Sequence, residues 1–280
     1  MRNLLVLALL VPAIGLTARQ AIFRSDVDVV RIDALVTDDG RVIKGLGAED
    51  FDVFDSKVSQ KIDLISSVNL PVNVVLGLDV SHSIDAGKYA GLREASDAMV
   101  GALTAEDQVG LVTFGSRATL RASLTRDVDR VKLALDQPTT SAETALIDAG
   151  FAAITAAGAE SGRALVVLFT DGVDTSSILR ADTVRGFARR ADVVVYGVAP
   201  ADARVDPFLD DLAEQTGGRI LRTTSNRQVA IRLTSILEEF RQRYVLSFRP
   251  EGVPANGWHP LTVRLKKRRG SVTARPGYER

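Results

Sequence analysis

Asp79-Val80-Ser81-His82-Ser83 sets three oxygen-bearing side chains at alternate positions, directly after the apolar run Val74-Val75-Leu76-Gly77-Leu78. That run has the length and β-branched content of a buried strand. A second such run, Ala164-Leu165-Val166-Val167-Leu168-Phe169, ends in Thr170-Asp171-Gly172. In open parallel α/β sheets, ligands collect at the carboxyl ends of the strands. Two strand ends carrying Asp and Ser suit a hard divalent cation, since Mg²⁺ takes about six oxygens at roughly 2.0–2.1 Å and keeps part of its water. Two carboxylates neutralise the ion, while hydroxyls add ligands without adding charge. The cation then stays electrophilic enough to accept a carboxylate from a partner. Capping of the following helix by Ser81 or Ser83 is the simpler alternative, but it accounts for neither Thr144 nor Asp171. His82 lies between two candidate ligands and reads as a solvent-facing residue outside the site.

Asp79-x-Ser81-x-Ser83, then Thr144, then Thr170-Asp171-Gly172 resemble the metal-ion-dependent adhesion site of von Willebrand factor A domains, in the same order along the chain. The resemblance implies that Ser81 and Ser83 bind a cation through their hydroxyls. It implies that Asp79 and Asp171 bind directly or through water, and that Thr144 joins in a high-affinity state. Mg²⁺ is the implied cofactor, with Mn²⁺ or Ca²⁺ as alternatives. The implied partner is a protein that offers Asp or Glu to the metal.

The elements that must position these residues follow from pattern. From about Val27 to Val68 the pattern is β: Val30, Ile32, Ala34 and Val36 alternate with Arg31, Asp33 and the less regular Leu35. Asp39-Gly40 reads as a hairpin turn, and short strands follow at Phe51–Phe54 and Ile62–Ile65. From Asn73 strands alternate with helices. Leu92, Ala95, Met99, Val100 and Leu103 fall at helical spacing, as do Leu146, Ala149, Ala153 and Ala157. Strands are expected at Val109–Phe114, Ala118–Leu124, Val193–Val198 and Ile220–Thr223, the last at an edge. Val229, Leu233, Ile236, Leu237 and Phe240 mark a closing amphipathic helix. After Arg243 the β pattern returns at Tyr244–Phe248, Leu261–Leu265 and Ser271–Ala274. The run Lys266-Lys267-Arg268-Arg269 before Gly270 reads as a solvated hairpin turn, because no aromatic residues interleave it as they would in a nucleic-acid surface.

The expected fold is therefore α/β: a doubly wound, mainly parallel sheet, which the resemblance makes a Rossmann-like von Willebrand A domain. A few strands at either end cannot each form a stable domain, so they are expected to pair into one β-sandwich with the α/β part inserted between them. The expected divisions are a leader over 1–20, an N-terminal β segment over 24–70, the α/β domain over 71–242, and C-terminal strands over 243–280. The flanks carry a resemblance too. Val36–Val42, Leu46-Gly-Ala-Glu-Asp50-Phe51, Arg243-Tyr244 and Ala274-Arg275-Pro276-Gly277-Tyr278 look like a bacterial exported family related to von Willebrand A domains.

Composition narrows the function. Lys+Arg and Asp+Glu balance at 35 each in 280 residues, which argues against a nucleic-acid or polyanion target. Hydrophobic content of 46% supplies a sizeable core, and the lack of cysteine excludes disulfides, thiolate catalysis and a lipid-bearing Cys. The expected function is a metal-dependent adhesion or interaction module that is not an enzyme. Alternatives are an envelope protein whose metal only stiffens loops, and a metal-dependent phosphohydrolase. The hydrolase would want a second carboxylate where Ser81 stands, and neither His82 nor His259 shows an orienting carboxylate in the sequence. Asp174 reads as an exposed loop residue.

Arg2 and the apolar stretch Leu4–Leu16, broken by Pro12 and Gly15, read as an export signal. The stretch is short of the about 20 residues a membrane span needs. Export to the periplasm, envelope or exterior is expected, with no stable membrane span after cleavage near Ala18; an uncleaved anchor is the alternative. Mass spectrometry of the mature protein should find about 18 residues removed. An intact N-terminus in the membrane fraction would favour the anchor.

Overall fold

The computed structural model describes residues 29–65, 70–82, 86–136 and 141–280 of the chain. The export-signal reading and Ser83 therefore lie outside the described residues. On the N-terminal side the β pattern forms β1 (Val30–Asp38), β2 (Arg41–Val42), β3 (Phe51–Asp55), β4 (Val58–Gln60) and β5 (Ile62–Ile65). Asp39 and Gly40 join β1 to β2 with φ of 47° and 76°, the two positive values that a tight type I′ turn requires.

Strand–helix alternation follows as β6 (Val72–Asp79), α1 (Ala86–Gly101), β7 (Gln108–Phe114), β8 (Ala118–Thr125), α2 (Val128–Leu135) and α3 (Leu146–Ala157). It continues through β9 (Arg163–Phe169), α4 (Ala181–Arg190), β10 (Val193–Pro200), α5 (Pro207–Gln215), β11 (Ile220–Thr223) and α6 (Asn226–Arg241). Four strands close the chain: β12 (Tyr244–Phe248), β13 (Trp258–Leu265), β14 (Ser271–Thr273) and β15 (Gly277–Glu279).

The central sheet has the order β11-β10-β9-β6-β7-β8 and is parallel except for β8, which returns antiparallel to β7. Its inner strands read as unbroken apolar runs because both faces are covered. Leu92, Ala95 and Met99 of α1 pack with Leu233, Ile236 and Phe240 of α6 over one face. Leu146, Ala149 and Ala153 of α3 pack with Val184 of α4 and Leu209 of α5 over the other. Strand β6 leads through α1 to β7 on one side, whereas β9 and its successors build outward on the other. The winding reverses between β6 and β9, which opens a crevice at their carboxyl ends.

The flanking strands pair with one another. One antiparallel sheet has the order β14-β1-β12-β5 with β2 on β1, and a second has the order β15-β13-β3-β4. Val30 to Ala34 of β1 lie opposite Phe248 to Tyr244 of β12, and Asp55 to Phe51 of β3 lie opposite Leu261 to Leu265 of β13. Ile32, Ala34, Phe51, Val53, Leu246 and Phe248 form a core shared by both sheets. Leu35 is buried as well, at the point where β1 leaves β12 and takes β14 as its neighbour.

One sequence expectation changes. Lys266–Arg269 is no hairpin turn: β13 before it and β14 after it belong to different sheets, so the run crosses between them. Its charge is partly answered by Asp52, 3.4 Å from the Lys266 ammonium. Sequence pattern marks hairpins by turn residues alone and cannot see which sheet the next strand joins.

Because β1, β3 and β5 find partners in β12 and β13, removing residues 244–280 leaves their edges unpaired. Limited proteolysis of that truncation is expected to cut within 30–65, while a fragment spanning about residues 70–242 stays soluble and unfolds cooperatively. Protection of 30–65 without the C-terminal strands would mean that the N-terminal part folds alone.

Candidate metal centre

Asp79 is the last residue of β6, and its side chain is fully enclosed. The parallel register sets Leu78 beside Phe169, so the next residues, Asp79 and Thr170, leave the sheet together. Thr170 Oγ1 donates to Asp79 Oδ2 at 2.7 Å, and the Ser81 amide donates to Oδ1 at 2.8 Å. Burial nevertheless pushes the Asp79 carboxyl above its ordinary range; the Ser81 and Thr170 hydrogen bonds oppose this, and the charge of Asp171 adds to it. The two carboxylates are thus within electrostatic reach of each other.

Ser81 is buried and pairs in parallel with Ser141, whose amide donates to the Val80 carbonyl at 3.2 Å. Thr144 comes from the loop before α3 and is 6% exposed. Its amide donates to Thr175 Oγ1 at 2.9 Å, and its carbonyl accepts from the Thr175 amide at 2.8 Å. A side chain on Gly172 would begin 3.9 Å from Thr144 Oγ1, so this hydroxyl stands beside the turn that carries Asp171. The Asp171 side chain is 6% exposed, and Lys88 from the first turn of α1 places its ammonium 2.9 Å from Oδ2. Asp79, Ser81, Thr144 and Asp171 therefore gather at the crevice, and His82 is exposed to solvent as expected.

Among the described residues, no three His, Cys, Asp or Glu side chains cluster so as to hold a metal by themselves. The donor set here is instead two carboxylates with hydroxyls around them. That set fits a hard, oxygen-seeking cation, and the burial that disfavours the Asp79 anion is the cost a bound positive charge would offset.

Two readings from sequence need correction. Asp174 is not a free loop residue: its Oδ1 accepts from the Ile147 amide at 3.1 Å, and its own amide donates to Asp206. Ala145 precedes α3 without any side-chain oxygen to cap it, so Asp174 reaches across to satisfy that helix start. This fastens the loop that follows Asp171. His259 does have an orienting carboxylate, Asp55 Oδ1 at 2.9 Å from Nδ1, supplied by the neighbouring strand β3. Both are enclosed in the sandwich, far along the chain from the candidate ligands. Pattern reading also passed over Thr170 and Lys88. Thr170 was visible as the residue before Asp171, but only strand register gives it a role.

A sequence model of the von Willebrand factor type A domain matches residues 73–238. No curated protein is significantly similar in sequence to the chain. Among solved structures, a von Willebrand factor type A protein from Catenulispora acidiphila aligns with a TM-score of 0.55 at 13% identity, covering 92% of this chain and 74% of that one. Proximal thread matrix protein 1 of the mussel byssus, solved with a zinc-occupied MIDAS motif, aligns with a TM-score of 0.54 at 18% identity. That alignment covers 67% of this chain and 50% of the mussel protein, so the chain matches about half of its length. An aerotolerance-related membrane protein from Bacteroides fragilis aligns with a TM-score of 0.50 at 17% identity, over 61% of this chain and 99% of that one. At these identities the likeness is one of fold.

A carboxyl pushed up by burial makes the folded state hold its proton more tightly than the unfolded one. The stability it contributes is complete below the unfolded value and is lost as pH rises through the folded one. At neutral pH with chelator present, Asp79→Asn is therefore expected to melt higher than the parent protein, because no buried anion remains. Thr170→Val acts oppositely: it keeps the shape but strips a donor from the carboxylate, costing about 1–3 kcal/mol. Thermal denaturation of both variants in chelator checks the two signs, and a lower melting point for Asp79→Asn would contradict the first.

Proposed function

The chain belongs to the von Willebrand factor type A domain family through residues 73–238, and we propose that it is an exported, metal-dependent binding module that captures an acidic side chain of a protein partner. The observation that carries this reading is that the buried Asp79 and Asp171, whose side chain is 6% exposed, stand within electrostatic reach of each other where the sheet winding reverses. Asp79, Ser81, Thr144 and Asp171 would hold the cation, with Ser83 from the same motif. The bound ion would supply an electrophilic position for a partner's Asp or Glu carboxylate.

The surrounding residues support that role. Thr170 and the Ser81 amide hold both oxygens of Asp79 in a single orientation. Contacts of Thr144 with Thr175, and of Asp174 with α3, hold the other two loops in place, so little ordering remains to be done when a ligand arrives. The zinc-occupied motif of the mussel protein supports a cation at this place. A set of carboxylates and hydroxyls favours Mg²⁺ or Mn²⁺ here, since zinc prefers nitrogen and sulfur ligands.

Binding rather than hydrolysis is also favoured by where the histidines stand. His82 is exposed, and His259 is enclosed in the sandwich with Asp55, so neither is poised as a base over the cluster. Among the described residues no helix is long and apolar enough to cross a membrane. Export is inferred from the N-terminal apolar stretch.

Isothermal calorimetry is expected to show Mg²⁺ or Mn²⁺ binding to the parent protein and none to Asp79→Ala. At 100 times its dissociation constant, the metal should stabilise the fold by about 2.7 kcal/mol. Capture of partners from envelope extract should require Mg²⁺ and fail with chelator. Parent-level metal affinity in Asp79→Ala would sink the assignment.

A further inference from the structure

Beside the metal centre, on the α1 and α6 side of the sheet, lies a cleft of about 340 Å³. Leu92 of α1, Phe169 at the end of β9 and Val229 of α6 line it, and each is 5% exposed or less. Ala201 and Asn226 stand at its rim. Asn226 Nδ2 donates to the Gly87 carbonyl at 3.2 Å, which ties the first turn of α6 to that of α1. Gly91 makes room for this contact, since a Cβ there would lie 2.4 Å from the Asn226 amide carbon. The mouth is thus held at a set width.

The wall between cleft and metal centre is Lys88. It lines the cleft, and its ammonium sits 2.9 Å from Asp171 Oδ2. The chain makes the same connection on the floor, because Phe169 is followed directly by Thr170 and Asp171. We propose that the cleft is a specificity subsite that takes an apolar side chain adjacent in sequence to the partner's acidic residue. The inference rests on the metal-dependent reading above and adds to it the second residue that the partner must carry.

The size fits one or two side chains, since sites for whole small ligands run from about 300 to 1,000 Å³. The floor of Leu92, Phe169 and Val229 is apolar, so Leu, Ile or Phe gains by entering it where Ser does not. Lys88 is paired with Asp171, and Asp202 also lines the cleft, so charge at the boundary is balanced and the apolar floor makes the selection. The expected preference is therefore apolar over small polar.

The test uses the full chain and two synthetic peptides, acetyl-Gly-Leu-Asp-Leu-Gly-amide and acetyl-Gly-Ser-Asp-Ser-Gly-amide. Affinity is measured by calorimetry in Mg²⁺ and in chelator, for the parent protein and for Ala201→Trp. Ala201 is exposed, lines the cleft and is not one of the candidate ligands, so an indole there obstructs the cleft from its open side. The Leu peptide is expected to bind about tenfold tighter than the Ser peptide. Ala201→Trp should abolish that difference and leave Mn²⁺ affinity unchanged. Equal Mg²⁺-dependent affinities for the two peptides, or a Leu advantage that survives Ala201→Trp, would overturn the subsite and leave the metal reading standing. If neither peptide binds in a Mg²⁺-dependent way, the metal reading falls and the subsite falls with it.

Discussion

The parallel pairing of β6 with β9 is the constraint on which the candidate site depends. In a parallel ladder, neighbouring strands end on the same side, and here the register brings Thr170 level with Asp79. A slip of one residue would turn every side chain of one strand to the opposite face, and the Thr170 hydroxyl would no longer reach the Asp79 carboxylate. Asp171 then follows into the crevice because Thr170 is already pinned. The loop bearing Thr144 is held to the loop after β9 by backbone and side-chain bonds at Thr175. Burial of Asp79 has a meaning only within this frame, as a negative charge held where a cation can answer it.

The other pole of the sheet is organised by arginines. Arg163 opens β9, donates to Asp33 of β1 and to the Phe240 carbonyl, and lies 4.3 Å above the Phe240 ring. Arg243 is fully buried and donates to Tyr196 Oη at 2.7 Å, to the Gly217 carbonyl at 2.7 Å and to the Asp33 carbonyl at 3.1 Å. Burial pushes Tyr196 up to about 12, so it stays protonated and can donate to Glu239 while accepting from Arg243. Arg275 donates to the Gly277 carbonyl and pairs with Asp192. Removing one member of such a buried set leaves polar groups without partners, commonly at a cost of about 3–5 kcal/mol. These contacts join the sandwich to the amino ends of the parallel strands. Strands of 7 or 8 residues span roughly 23–26 Å, so the sandwich and the candidate metal centre sit at opposite ends of the sheet.

The sandwich has a polar tie of its own. Asp55 of β3 is fully buried and accepts from His259 Nδ1 and, at 2.7 Å, from Tyr278 Oη. His259 stacks on the Tyr278 ring with centroids 4.8 Å apart. One carboxylate from the N-terminal flank thereby gathers two strands from the C-terminal flank, β13 and β15. The closing Pro276-Gly277-Tyr278 motif owes its place to this contact and to Arg275, not to turn formation alone.

What the sequence determined by itself is what local burial writes into periodicity. The unbroken apolar runs of β6 and β9, the helical spacing of Leu146, Ala149, Ala153 and Ala157, and the Asp39-Gly40 turn were all legible, because a strand, helix or turn is specified by neighbours a few residues apart. The candidate ligand types were legible for the same reason, since each stands at the end of a recognisable element. What only the tertiary structure decided were contacts between distant segments: Thr170 with Asp79 across 91 residues, Asp55 with His259 across 204, Lys88 with Asp171 across 83. The sheet joined by the strand after Lys266–Arg269 was decided in the same way. A lone Thr, Lys or His carries no local mark of its partner, because hydrogen bonds and ion pairs act through space, and the space is made only when the strands pair.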